Sequence, residues 1–396
     1  MPGIHEPLTE QLLEGAFPAA DPYPLFARLR AEAPMAWCAD PGFWAVSRMA
    51  DVLAVATDTT TYCSSRGILL MEIGTTYDTP PTMMHTDPPE HTAYRALVSP
   101  PLRKRVVEQM DASVRARGTA LVDALPLDEP VDVVEALAVP FPIQVIADLL
   151  GLSDADVPRL YEWSEAVIPG ATDLSPERAG ELALEMTLYL IDEAGKRRES
   201  RGDDLISTVA LAELDGRRLD DNEVAMFLIQ LLVAGNETTR NLVSGGLIAF
   251  AQQPEQWQRL RDDAALIPSA VEELLRWTSP VSSFMRTATI DTTLGGVDVS
   301  AGDHLLLLYG SADRDEDTFG PTANRLDVGR TPNHHVAFGF GAHFCLGAAL
   351  ARLEAQVLLG LLRDRVGSFE LAGDVVPSPS TVIAGVKRAP MVLRAA

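Results

Sequence analysis

The stretch from Asp220 to Phe250 reads as one uninterrupted helix, and nothing else in the sequence limits the fold as much. At 1.5 Å per residue it would span roughly 45 Å, the width of a whole domain, so the rest of the chain has to be wrapped around it. Its apolar run, Ala225 to Gly235 (AMFLIQLLVAG), is about half a membrane span and ends in Asn236, Glu237 and Arg240. That marks a core axis. In mid-helix, Gly235, Asn236, Glu237, Thr238 and Thr239 put weak helix formers and a charge where an apolar interior should continue. One reading is a local bulge that frees backbone carbonyls, with Glu237 and Thr238 as a proton-handling pair. The other is a solvated helix face.

Around this axis the pattern is mainly α with small β-sheets. Further helices are expected at Pro22–Pro34, His91–Arg105, Glu108–Ala124, Pro140–Leu150, Asp154–Val167, Pro176–Ser200, Asp203–Ala212, Pro254–Asp263 and Pro268–Thr278. A hairpin is expected over Met35–Arg48, turning at Asp40-Pro41-Gly42, and short strands over Ser282–Ile290, Thr293–Ser300 and Asp303–Gly310. Thr59–Pro89 reads as a long loop whose apolar residues line a pocket or pin the loop to the core. No repeat or linker divides the 396 residues, which read as a single domain, 1–396.

Composition excludes several classes of function. A net charge of −24 opposes wholesale binding to nucleic acid or anionic lipid. The first residues carry no basic segment followed by an apolar run, so no secretory signal or membrane anchor is expected. Three cysteines, Cys38, Cys63 and Cys345, are too scattered for a disulfide framework or a CxxC metal site, and suit a reducing cytoplasm.

Cys345 stands in FGFGAHFCLG, between a glycine-punctuated loop and the strong helix pattern LGAALARLEAQVLLGLL. A cysteine near a helix N-terminus is favoured as a thiolate, which can hold iron, and glycines let backbone approach a flat ligand. A buried structural cysteine remains the plain alternative. A dinucleotide loop does not fit, because Phe344 occupies the last glycine of GxGxxG. Glu273 and Arg276 in AVEELLRW share a helix face, as a surface ion pair would. His91 and Arg95 lie four apart at a helix start after Asp87-Pro88-Pro89, where both can donate to an anion.

These stretches together resemble the cytochrome P450 family, in particular its soluble bacterial haem-thiolate monooxygenases. Phe338, Gly341, Cys345 and Gly347 match the haem-binding signature F-x-x-G-x-x-x-C-x-G, and AGNETT matches the oxygen-activation motif A-G-x-(D/E)-T-(T/S). The motifs run in the family's order from His91 to Gly347, so the resemblance covers essentially the whole chain. It implies a long central helix over haem b, with Cys345 as axial ligand of the iron, Glu237 as the acid and Thr238 as the hydroxyl that hydrogen-bonds dioxygen. It also implies that His91, Arg95, Arg286 and His343 hold the haem propionates, and that Glu273 and Arg276 form a structural pair completed by Arg325.

The implied activity is hydroxylation of a C–H bond in a hydrophobic small molecule, with O2 and two electrons from a ferredoxin and its ferredoxin reductase. A peroxide-driven peroxygenase and a non-catalytic haem-based ligand binder are the alternatives. Arg103, Lys104, Arg105 and Arg352 offer a local basic patch for an acidic donor, or are ordinary solvated residues. Candidate substrate-lining residues are Ile68, Leu69, Leu70, Met71, Leu231, Ala234, Val281, Ser282, Ser283, Phe284, Val382 and Ile383. Mostly apolar, they suit a steroid, terpenoid, fatty acid or macrolide, and SSFMRTATIDTTLGG loosely resembles enzymes acting on sterols and terpenoids.

Overall fold

The computed structural model describes residues 6–13, 21–77, 82–167, 174–378, 380 and 382–396. Parts of the N-terminal segment and residues 78–81 of the long loop lie outside these. The chain divides into two compact units, each assembled from separate stretches of sequence.

The first unit comprises 1–90, 268–345 and 376–385. Its centre is a five-stranded sheet, in the order Met35–Cys38, Phe43–Val46, His304–Leu308, Ser283–Ala288, Tyr62–Cys63. The first two strands form the expected hairpin, with Trp37 opposite Trp44, and His304–Leu308 runs parallel to the second and antiparallel to Ser283–Ala288. Leu306 and Leu308 pack with Phe26, Leu29, Phe43 and Met285 on one face. Leu305 and Leu307 pack with Val46, Val52, Tyr309 and Val336 on the other. A strand covered on both faces needs no polar alternation, which is why HLLLL reads as a continuous apolar run.

The second unit comprises 91–267, 346–375 and 386–396. Its axis is the helix Asp221–Gln252, 32 residues long. Asp220 starts it with a capping box: its carboxylate accepts from Glu223 N–H at 2.9 Å, and Glu223 accepts from Asp220 N–H at 2.9 Å. Helices Pro140–Leu150, Val157–Val167, Pro176–Glu199 and Ala348–Arg365 pack against this axis. A three-stranded sheet, Val366–Leu371, Pro390–Ala395 and Pro130–Asp132, closes one end. There Phe250, Trp257 and Phe369 form an aromatic cluster, with Trp257 and Phe369 edge-on at 4.9 Å.

The helix expected over His91–Arg105 is shorter, Glu90–Val98, because Pro100 and Pro101 follow and cannot continue it. Of the two readings of the mid-helix polar run, the bulge is absent: the α-helix runs through Gly235–Thr239 without interruption. Thr238 Oγ1 donates to Ala234 O at 2.8 Å, so its hydroxyl is satisfied within the helix and no carbonyl has to be freed. Among the described residues no helix is long and apolar enough to cross a membrane.

Candidate functional site

In the first unit the chain from Val336 to Cys345 closes into a tight loop. Cys345 N–H donates to Phe338 O at 2.8 Å, Gly339 N–H to Val336 O at 2.7 Å and Phe344 N–H to Gly341 O at 3.2 Å. Gly339 and Gly341 have φ of +66° and +71°, a region that disfavours side chains. At Gly341 a Cβ would also collide with the carbonyl of Ala56. Cys345 is the partly exposed thiol of the three; Cys38 and Cys63 are buried. Phe338 lies between two rings, His335 at 5.9 Å and Phe344 at 6.1 Å. Gly347 caps the helix Ala348–Arg365, three residues closer to it than Phe344, and its missing Cβ faces open space.

Glu273 and Arg276 are both fully buried, not a surface pair. Arg276 uses all its N–H groups: two on Glu273 at 2.8 Å, and the rest on the carbonyls of Asp313 and Ala323 at 2.7 Å and of Arg325 at 3.1 Å. Glu273 accepts further from Asp327 N–H at 2.8 Å, Arg330 Nε at 2.9 Å and Asn333 Nδ2 at 3.1 Å. The arginine that completes this pair is therefore Arg330, and the expectation of Arg325 is corrected. Arg325 is exposed and offers only its carbonyl oxygen, whereas Arg330 lies one turn of loop further on, facing the carboxylate.

In the second unit the middle of the long helix holds a second ion-pair group. Glu237 is 4% exposed, and Arg240 Nη1 reaches its Oε1 at 2.9 Å and Glu165 Oε1 on the helix Val157–Val167 at 2.5 Å. Burial pushes the Glu237 carboxyl up to about 7, against the pull of Arg240, and the nearby Glu165 adds to the rise. Thr238 and Ala234, one turn apart, are less buried along this helix, as is Leu231, whereas Glu237 is buried. Glu237 and Thr238 are thus neighbours in sequence with different surroundings. Beside them Asn236 Nδ2 donates to Ser164 Oγ at 2.9 Å.

One residue escaped the sequence reading. Glu354, on the helix Ala348–Arg365, is 2% exposed, and its Oε2 has no hydrogen-bond partner. Burial pushes its carboxyl up to about 8, although a hydrogen bond with Thr239 of the long helix pulls the other way. The signal was its spacing: Leu350, Glu354 and Leu358 recur every four residues, so Glu354 falls on the buried stripe.

Of the basic residues, His91 is buried and Arg95 half-buried on the helix Glu90–Val98 of the second unit. In the first unit Arg286 is buried in Ser283–Ala288 and donates to Met285 O at 2.7 Å, while His343 Nε2 lies 3.2 Å from Ser64 Oγ. Within the first unit, Cys345 on its glycine loop, with the Arg286 guanidinium and the His343 imidazole, supplies a thiol and two basic side chains of the kind that a haem with propionates takes, so the residues present there fit that group.

The candidate lining residues of the first unit are drawn to one place. Ile68 O accepts from Met285 N–H at 2.7 Å, Val382 O from Ser282 N–H at 2.7 Å, and Val281 bridges Ile383. Phe284 lies edge-on to Tyr309, and Ser283 is buried. Met71 departs from the expected lining, being 67% exposed, while Leu69 and Leu70 are half-buried. Glu72 pins this segment by accepting from Ile68 and Leu69 N–H at 2.8 and 2.9 Å, with His85 Nε2 at 3.0 Å. Burial opposes its ionisation, but these hydrogen bonds prevail and hold its carboxyl at about 2.

A cytochrome P450 family model matches residues 144–366. The chain is 33% identical to a steroid C26-monooxygenase of Rhodococcus jostii, over 92% of this chain and 80% of that one. It is 35% identical to a linalool 8-monooxygenase of Pseudomonas putida, over 94% and 95%. A Mycobacterium marinum cytochrome P450 in complex with pseudoionone superposes with a TM-score of 0.88 at 36% identity, covering 94% of each chain.

Proposed function

Since this chain belongs to the cytochrome P450 family, monooxygenases that bind haem b through a cysteine thiolate, we propose that Cys345 supplies that thiolate. The substrate is a hydrophobic small molecule of steroid or terpenoid type, and the electrons come from a ferredoxin kept reduced by ferredoxin reductase. When bound, the haem supplies dioxygen activation and insertion of one oxygen atom into a C–H bond.

The observation that carries the assignment is the Cys345 loop. Cys345 is partly exposed, its N–H is anchored on Phe338 O, and its two left-handed glycines fix the turn. In this reading His91, Arg95, Arg286 and His343 would hold the carboxylates of the cofactor by charge-assisted hydrogen bonds. Glu237 acts as the proton-handling acid: its burial keeps the carboxyl able both to hold and to release a proton near neutral pH. Thr238 presents its hydroxyl from the accessible helix face.

Support for the substrate class comes from the apolar surroundings of Val281, Phe284, Val382 and Ile383 and from relatives named for a steroid and for linalool. Ser282 is the hydroxyl in that set able to orient a polar group of the ligand. For the donor, Arg103, Lys104 and Arg105 are exposed, and the short helix Lys104–Val107 packs on the helix that carries Arg352. This gives an otherwise acidic protein one basic surface for an acidic ferredoxin in the cytoplasm.

The test is a panel of steroids, terpenoids, fatty acids and macrolides scored by haem spin-state shift, followed by product analysis with ferredoxin and reductase. Steroids or terpenoids should give the strongest shifts and singly oxygenated products. Binding confined to fatty acids or macrolides would overturn the substrate assignment, and turnover with hydrogen peroxide alone would overturn the ferredoxin assignment.

A further inference from the structure

His335 has no part in the motifs above, yet it sits at the root of the cysteine loop with both ring nitrogens engaged. Ala337 N–H points at Nδ1 at 3.2 Å, so Nδ1 carries the lone pair. The ring proton is then on Nε2, which donates to Glu272 Oε2 at 3.1 Å. The ring is almost wholly enclosed, with its side chain 3% exposed, while Glu272 is 27% exposed.

Two further contacts fix the same short segment. Val336 N–H donates to Asp313 Oδ1 at 2.7 Å, and the other oxygen of Asp313 accepts from Ser279 Oγ at 2.8 Å. Asn333 reaches Glu273. Adjacent carboxylates, Glu272 and Glu273, therefore hold one loop root from one helix, the first through His335 and the second through Asn333. From His335 the path to the cysteine is short. Its ring lies tilted against that of Phe338 with centroids 5.9 Å apart, and Phe338 O receives the Cys345 N–H at 2.8 Å.

We propose that His335, held as the Nε2–H tautomer between Glu272 and Ala337, is a positioning residue that sets the approach of the Cys345 sulfur to the haem iron. The proposal rests on the assignment of Cys345 as the thiolate ligand. Outer partners of this kind fix a ligand's orientation without touching the metal. The tautomer gives the role a directional signature. Asparagine places its side-chain oxygen where Nδ1 sits and keeps the Ala337 contact; glutamine places its nitrogen where Nε2 sits and keeps the Glu272 contact.

The experiment compares wild type, His335→Leu, His335→Asn, His335→Gln and Glu272→Leu as purified holoproteins at matched haem content. The readouts are the reduced carbon monoxide spectrum and the ferric–ferrous potential. His335→Leu should lower the ratio of red-shifted to normal Soret band by about tenfold and shift the potential, with His335→Asn recovering most of the loss and His335→Gln less. Glu272→Leu, which alters only a partly exposed carboxylate, should move both readouts in the same direction by less, and it serves where His335→Leu fails to fold. Wild-type spectra and potentials in His335→Leu, or in Glu272→Leu, would overturn the proposal. A wild type that lacks the red-shifted band would instead overturn the thiolate assignment on which it rests.

Discussion

The chain contains two copies of the same four-residue spacing, Glu237-Thr-Thr-Arg240 and Glu273-Leu-Leu-Arg276, and their surroundings make them opposites. In the second, every guanidinium N–H has an acceptor, and the carboxylate gathers a second arginine, an asparagine amide and a backbone N–H. In the first, one guanidinium nitrogen is shared by two carboxylates, and Arg240 Nε has no hydrogen-bond partner. A buried ion pair becomes framework when its hydrogen-bonding capacity is saturated. Left short of donors, it keeps a carboxyl whose proton can come and go near neutrality. Three and four residue spacings put side chains on one helix face; what converges on that face decides between scaffold and chemistry.

The sharpest way to break this contrast is to remove one partner from each pair. Arg276→Met leaves the Glu273 charge buried with fewer donors and should cost about 3–5 kcal/mol, read from denaturant midpoints and haem retention. Arg330→Met should cost less, and Arg325→Ala close to nothing, since only the Arg325 carbonyl is used. Equal losses at positions 325 and 330 would contradict the geometry.

Glu237→Gln should leave stability nearly intact and lower turnover on the order of 10². In the wild type the acid form predominates below about 7, so the Glu237-dependent part of the rate should decline as pH rises through that value. The glutamine variant should show no such limb. Thr238→Ala should lower product formed per electron consumed; an unchanged yield would remove Thr238 from the proton path.

Glu354 sharpens the comparison from the side of stability. Its carboxyl is raised from 4.5 to about 8 in the folded protein, so the folded state holds its proton more tightly than the unfolded chain. Stability from this group therefore falls as pH climbs from 4.5 towards 8, by about 1.4 kcal/mol for each pH unit. Glu354→Gln should leave melting near pH 4.5 unchanged and raise it at pH 8. The smallest expected effect is at the basic surface. Reversing charge at Arg103, Lys104 and Arg105 should slow reduction by ferredoxin and flatten its ionic-strength dependence, leaving stability within about 0.5 kcal/mol.

Much of this was legible in the sequence where the signal is local. Pro140–Leu150 is found with the boundaries that its flanking Pro and Gly announce, and the long helix starts at the residue after its capping Asp220. The glycine spacing around Cys345 likewise translates directly into φ values and a closed loop. What the sequence hid depends on distance along the chain. Arg330 was missed because nothing local separates it from Arg325; only the path of the loop brings it to a carboxylate 57 positions away. Glu165 was hidden for the same reason, being 75 positions from Arg240. The bulge reading fails because Thr238 satisfies its hydroxyl on the carbonyl one turn back, which weak helix propensity alone does not reveal.

The central claim is that Cys345 is the ligand of a haem iron. Its most direct test is the absorption spectrum of the purified protein, reduced with dithionite and exposed to carbon monoxide, beside Cys345→Ser. A far red-shifted Soret band in the wild type that is lost in the serine variant is the predicted result. A normal Soret band in both, or no haem in either, would contradict it and leave Cys345 as a structural thiol.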